Sequence, residues 1–122
     1  MDPQARFAPV CNYFFACWTE FSSKALAQLL SEDVVFSYRS ISTCGKAQVI
    51  KLFDQEYFSK VDPGQTAILE FSLYPRGPDK VVATYIVRQD KAGVQEELGF
   101  VEYFAFNDSN QICCIERTLA SE

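Results

Sequence analysis

Apolar positions recur every three or four residues along the first third of the chain, and at alternate positions along much of the second half. Phe7, Val10, Cys11, Phe14, Trp18 and Phe21 form a helical stripe that is unusually aromatic. Asp2-Pro3 reads as a cap with proline at the first helical position, while Pro9 delays regular helix to about residue 8. Ser22 or Ser23 then caps a short helix carrying Leu26, Leu29 and Leu30. Val34 to Tyr38 reads as a strand, because its shortness and β-branching argue against helix. A loop is expected from there to Gly45. From Lys46 the spacing of Val49, Phe53 and Tyr57 predicts a third helix that ends before Asp62-Pro-Gly64. Strands follow at Thr66–Tyr74, Lys80–Gln89, Leu98–Phe106 and Gln111–Arg117, separated by turn clusters at Pro75–Pro78, Asp90–Gly93 and Asn107–Asn110. The pattern predicts an α+β fold in which three helices pack on one face of a curved, mostly antiparallel sheet.

One charge interrupts this pattern. In the strand Leu98–Phe106, Glu102 shares its face with Leu98, Phe100, Phe104 and Phe106, since alternate side chains point the same way. An ionised carboxylate is costly to bury against an aromatic wall. Glu102 should therefore be held neutral as a donor or acid, or should have a hydrogen-bonding partner across a cavity. Either reading puts a pocket beside it. A position at the wet rim of the sheet is the bland alternative.

Composition narrows the function classes. The 122 residues, 48% hydrophobic and 15% aromatic, suit a single domain spanning 1–122 with one core. No apolar run reaches the roughly 18 residues that cross a bilayer, and Met1-Asp-Pro-Gln-Ala-Arg6 lacks the order of a signal peptide, so a cytoplasmic protein is expected. A net charge of -5 with scattered Lys and Arg offers no stripe for a phosphate backbone, which argues against nucleic acid. Five cysteines without a C-x-x-C pair, and no histidine, make a disulfide framework or a zinc site improbable. Neither metal nor cofactor is expected. Cys44 stands before a helix start that could lower a thiol pKa, but no base is available to activate it. Cys113 and Cys114 read as small core hydrophobes. Arg88, Glu70, Glu116 and Arg117 are expected on the outer face in cross-strand charge pairs.

The run Ala25–Phe36, the helix start Gly45-Lys-Ala-Gln-Val-Ile-Lys-Leu-Phe53 and the closing hairpin Val101–Ile112 resemble the nuclear transport factor 2-like superfamily. That cone-shaped fold includes ketosteroid isomerases, polyketide cyclases, scytalone dehydratase, epoxide hydrolases and non-catalytic dimerisation domains. The resemblance covers nearly the whole chain, yet its motifs are structural and specify fold better than function. It aligns Glu102 with the protonated aspartate in the oxyanion hole of the ketosteroid isomerases. Tyr38 falls where they place the aspartate base, and a phenol with an ordinary pKa near ~10 is a poor base. Phe14 falls close to their first-helix tyrosine, with Tyr13 one residue off in register. The dehydratase histidine and the Asp-Arg-Asp set of the epoxide hydrolases have no match.

Two function classes follow. In the first, an apolar, carbonyl-bearing molecule enters an aromatic cone, with Glu102 and Tyr38 donating to its oxygen and Phe14, Trp18, Tyr57, Tyr85, Phe100 and Phe104 as its walls. Isomerisation, dehydration or cyclisation through an enolate would suit such donors. Tyr38 and Tyr85 could equally be strand tyrosines that pack their rings and wet their hydroxyls. In the second class the cone is filled and the protein is a non-catalytic binding or scaffold module. Val101, Tyr103 and Ala105, on the face opposite Glu102, are apolar as well, so a homodimer is expected in either class.

Overall fold

The computed structural model describes residues 3–60 and 62–120; Asp2, half of the expected first cap, lies outside them. Helix α1 (Phe7–Phe15) turns Val10, Tyr13 and Phe14 inward, then widens into a π-helical segment, Ala16–Glu20. Phe21, left-handed at φ 49°, stops it. The Ser22 hydroxyl accepts the Ala25 amide at 3.1 Å and so caps α2 (Ser23–Ala27), as its position predicts. Helix α3 (Lys46–Leu52) also opens into a π-helical segment, Phe53–Phe58, where one continuous helix was expected. Each widening re-aims the side chains that follow it.

Six strands form the sheet: β1 (Leu30–Tyr38), β2 (Ile41–Cys44), β3 (Thr66–Pro75), β4 (Lys80–Lys91), β5 (Val94–Phe106) and β6 (Ile112–Leu119). Their order is β2-β1-β6-β5-β4-β3, with β1 and β6 parallel and every other pair antiparallel. The expected loop before Gly45 is corrected: Ile41–Cys44 folds back on β1, pairing Tyr38 with Ile41. Four mostly exposed residues carry too little apolar alternation to announce a strand. Between β4 and β5, Ala92 and Gly93 have φ of 51° and 80°, the double left-handed turn that a two-residue hairpin favours.

Breaks in register bend the sheet around the helices. One lies in β3 between Leu69 and Ser72, where Glu70 takes φ 52° and the Phe71 ring comes 4.7 Å from that of Phe14. A second lies in the closing hairpin. Phe106 pairs with Ile112, a register that would set Glu102 opposite Glu116; but Ala105 pairs with Cys114, and Glu102 consequently faces Arg117. Cys113 is the extra residue. Because a one-residue slip exchanges the faces of a strand, this bulge turns Arg117 into the core with Ile115 and Leu119 and leaves Glu116 outside. The expectation of an outward Arg117 is thereby overturned, whereas Arg88 does pair with Glu97 at 3.1 Å on the surface. Cys113 and Cys114 are half-buried rather than core residues. Leu98 is 50% exposed, because β5 runs beyond the helices that cover its later residues.

Deleting Cys113 should undo the Glu102–Arg117 register and cost at least about 3 kcal/mol, the range for a buried charge losing its partner. Cys113→Ala, which keeps the bulge, should cost under about 1 kcal/mol. Urea denaturation of both variants checks this, and a deletion as stable as the parent would show that the bulge does not set the pairing.

Candidate functional site

The inner face of the sheet and α1 enclose a polar knot within an aromatic core. Glu102 is fully buried, and its two carboxylate oxygens accept hydrogen bonds from the hydroxyls of Tyr13, at 2.7 Å, and Tyr85, at 2.5 Å. Arg117 Nη2 lies 3.4 Å from the same carboxylate and donates to the Tyr13 oxygen at 3.1 Å. The Arg117 guanidinium carbon sits 5.3–6.0 Å from the ring centres of Phe36, Tyr38, Phe53 and Tyr57. Such cation–π contacts give a desolvated cation part of what water would have supplied. Burial, then the nearby carboxylate, pushes the Tyr13 and Tyr85 phenols well above their ordinary pKa, so both stay protonated donors. Burial acts to lower Arg117, but Glu102, with the two phenols and the Cys17 thiol, outweighs it and holds the guanidinium above its ordinary value.

Arg117 is also where this interior meets a cavity. A space of about 300 Å³ opens beside it, walled by Trp18, Tyr38, Tyr57, Val87, Leu98 and Phe100 and rimmed by Glu56, Lys60, Gln89 and Glu96. Among the described residues, Arg117 Nε, Tyr57 Oη and Trp18 Nε1 are buried donors without a hydrogen-bond partner, and all three residues line this cavity. Buried polar groups are otherwise nearly always paired, yet these three atoms are sealed, and the same residues, with Cys17, Phe53 and Phe58, also line an internal void of about 10 Å³. Trp18 and Tyr57 lie on the two π-helical segments, a helical form that recurs at functional sites. Burial is the main cause of the raised Tyr57 phenol pKa, which keeps the proton available for donation.

The expected site residues separate into two groups. Tyr38, Trp18, Tyr57 and Phe100 line the mouth cavity. Glu102, Tyr85 and Phe104 do not; they are sealed in the core, and Glu102 accepts where donation was expected because two phenols and a guanidinium surround it. Phe14 is buried and, with Trp18, borders a separate apolar groove between α1 and β3. Tyr13, not Phe14, reaches the carboxylate. Its signal was present, since Val10, Tyr13, Phe14 and Cys17 follow the i, i+3, i+4, i+7 spacing of a buried stripe. Arg117 was the main omission. Among the described residues no group of three His, Cys, Asp or Glu side chains is placed to hold a metal, and no helix is long and apolar enough to cross a membrane.

No family model matches the chain, and no curated protein matches it in sequence. Solved structures do share its fold. The epoxide hydrolase/cyclase-like enzyme SalBIII, described in pyran ring formation in the polyether salinomycin, superposes with a TM-score of 0.79 at 14% identity, over 98% of this chain and 93% of its own. A protein named as a candidate polyketide cyclase from Xanthomonas campestris gives 0.76 at 17%, over 97% and 92%. Mycobacterium tuberculosis RV0760c in complex with estradiol-17beta-hemisuccinate gives 0.73 at 15%, over 96% and 93%. Likeness at this level of identity establishes the architecture: the chain has the nuclear transport factor 2-like fold.

Glu102→Leu should destabilise the protein by about 3–5 kcal/mol, because it strands the buried Arg117 charge. Glu102→Leu combined with Arg117→Met should recover much of that loss. Chemical denaturation of the two single variants and the double variant measures the coupling; strictly additive losses would disprove it.

Proposed function

We propose that this chain binds an apolar small molecule at the mouth of its cone through one carbonyl oxygen, in the manner of a polyketide cyclase or ketosteroid isomerase-like pocket. The observation that carries this reading is an aromatic-walled cavity with Arg117 in its lining, and with the unpaired donors Arg117 Nε, Tyr57 Oη and Trp18 Nε1 buried behind that lining. The size suits a compact ligand, since small-molecule sites begin near about 300 Å³. The estradiol hemisuccinate in a structure of the same fold is consistent with a guest whose body is apolar.

The chemistry open to such a site is polarisation of the bound oxygen. A carbonyl held by a guanidinium N–H and a phenol gains stabilisation as it becomes an enolate or alkoxide, the step common to cofactor-independent isomerases, lyases and cyclases. Tyr57 and Arg117 take the donor roles in this reading, Tyr38 and Phe100 hold the apolar body, and Glu102 fixes Arg117 from behind. The rim supplies the carboxylates of Glu56 and Glu96 as proton acceptors. Glu56 is engaged with Lys60 at 2.8 Å on the surface, and that favours the second reading, in which the ligand is bound without turnover.

The outer face of the sheet supports a homodimer. Val101, Tyr103 and Ala105 are half-buried in the single chain, and the Arg76 guanidinium carbon stacks 5.5 Å from the Tyr103 ring centre beside them. Multi-angle light scattering at micromolar concentration should give twice the 13.8 kDa chain mass, and Tyr103→Glu should return it to the monomer. A monomer mass for the parent protein ends that proposal.

Binding can be read directly, because Trp18 is the chain's single tryptophan and stands in the cavity wall. Small aryl ketones should change Trp18 emission saturably. Tyr57→Phe should weaken binding about two- to tenfold, the worth of one hydrogen bond, with little change in stability. Affinity indifferent to both Tyr57→Phe and Arg117→Met would refute the site.

A further inference from the structure

We infer that a second copy of this chain docks on the outer face of the sheet about a two-fold axis running along β5, so that Glu116 of each protomer meets Arg76 and Lys80 of the other. This deepens the homodimer reading above and rests on it. The outer face is not evenly apolar. A cavity of about 310 Å³ opens on it, with Arg76 and Lys80 on the β4 side, Glu116 on the β6 side, and Tyr103, Ala105 and Cys114 between them. Pairing across the sheet fixes these places: Lys80 lies beside Ala105, Ala105 beside Cys114, and Tyr103 beside Glu116. Arg76 donates its backbone amide to the Lys80 carbonyl at 2.9 Å, and its guanidinium carbon, 5.5 Å from the Tyr103 ring centre, is held over the same strip. All three charged residues are exposed. Among the described residues the ion pairs join Lys46 to Glu32, Lys60 to Glu56, Arg88 to Glu97 and Arg117 to Glu102, so Glu116 has closed on neither cation.

Contact between identical faces about a two-fold is self-complementary, so the direction of the axis decides which residues meet. An axis lying across the strands keeps the β4 and β6 sides where they are. It would set Glu116 over the partner's Glu116 and the cations over the partner's cations, and like charges so juxtaposed repel. An axis along β5 exchanges the two sides. Glu116 then stands over the partner's Lys80 and Arg76, the pairing occurs twice by symmetry, and the two Tyr103 rings meet at the centre. The small side chains of Ala105 and Cys114 leave space beside Tyr103 for the partner's ring. A chain of another sequence would have to bring both signs of charge at this spacing, whereas a second copy brings them by symmetry.

The test compares charge reversals in the full chain by sedimentation equilibrium, using variants whose far-UV circular dichroism matches the parent. Glu116→Lys alone, and Arg76→Glu together with Lys80→Glu, should each weaken the dimer at least about tenfold, because every pair across the interface then repels. Mixed in equal amounts, the two variants should form a one-to-one heterodimer in native mass spectrometry. The chain carrying all three reversals should return to a homodimer. Rescue is the decisive readout, since a substitution that merely damaged the surface would not be repaired by a second one on another strand. A parent dimer whose affinity stays within about threefold in both reversals, the effect of a charge at an exposed rim, would overturn this pairing and leave the homodimer standing. Loss of the dimer in both reversals without rescue in the mixture would overturn the pairing as well. A monomeric parent would overturn the homodimer and this inference together.

Discussion

The structure depends on keeping a guanidinium inside an aromatic core. Arg117 is 6% exposed and surrounded by four aromatic rings, and an unpaired cation there would cost several kcal/mol. Glu102 opposes it across the hairpin, but a carboxylate beside phenylalanine rings has its own desolvation cost, which two phenols offset. Each member of the set makes the next one tolerable. The phenols come from α1 and β4 and the ions from β5 and β6, so one network ties the first helix to three adjacent strands. A buried network of this kind adds little stability over a hydrophobic equivalent, but it admits one arrangement of the helix on the sheet.

That arrangement leaves the network one open side. Tyr13, Tyr85 and Glu102 satisfy each other, whereas Arg117 Nε, like Tyr57 Oη and Trp18 Nε1, is buried without a hydrogen-bond partner. The two π-helical segments make this possible, because a regular continuation of α1 and α3 would present different side chains at the mouth. Their ends meet at Phe21 and Phe58, whose rings lie 6.3 Å apart edge to face. The inner floor of the cone is therefore cross-linked by buried hydrogen bonds, and its mouth is built on the less regular backbone.

Much of this was legible in the sequence. Glu102 on an aromatic face, the Ser22 cap, the turn clusters and the order of helices and strands all follow from local rules, and they suffice for the fold. Arg117 was hidden by one residue: a strand period counted from the hairpin tip puts it outside, and nothing in Ile112-Cys-Cys-Ile115 announces that Cys113 is a bulge. The roles within the knot were hidden for a related reason. Whether a buried carboxylate donates or accepts depends on its partners across the core, and Tyr13 is 89 residues away in sequence while Arg117 is 15. Widened helix turns leave no mark in an apolar period, so the aim of Trp18 and Tyr57 could be reached only through their aromatic character.

The filled interior also bears on how the fold divides its labour. Where a carboxylic acid is held neutral at the floor of an apolar site, the acid itself can meet the ligand oxygen. Here the carboxylate has been drawn one layer back. A guanidinium stands between it and the cavity, so the wall there carries the charge of the pair and not of either ion. The same pairing keeps Arg117 from swinging out to solvent, since leaving Glu102 would strand the carboxylate and its two phenols in the core. Fixed geometry at the floor of the mouth is thus a by-product of the electrostatics that hold the core together.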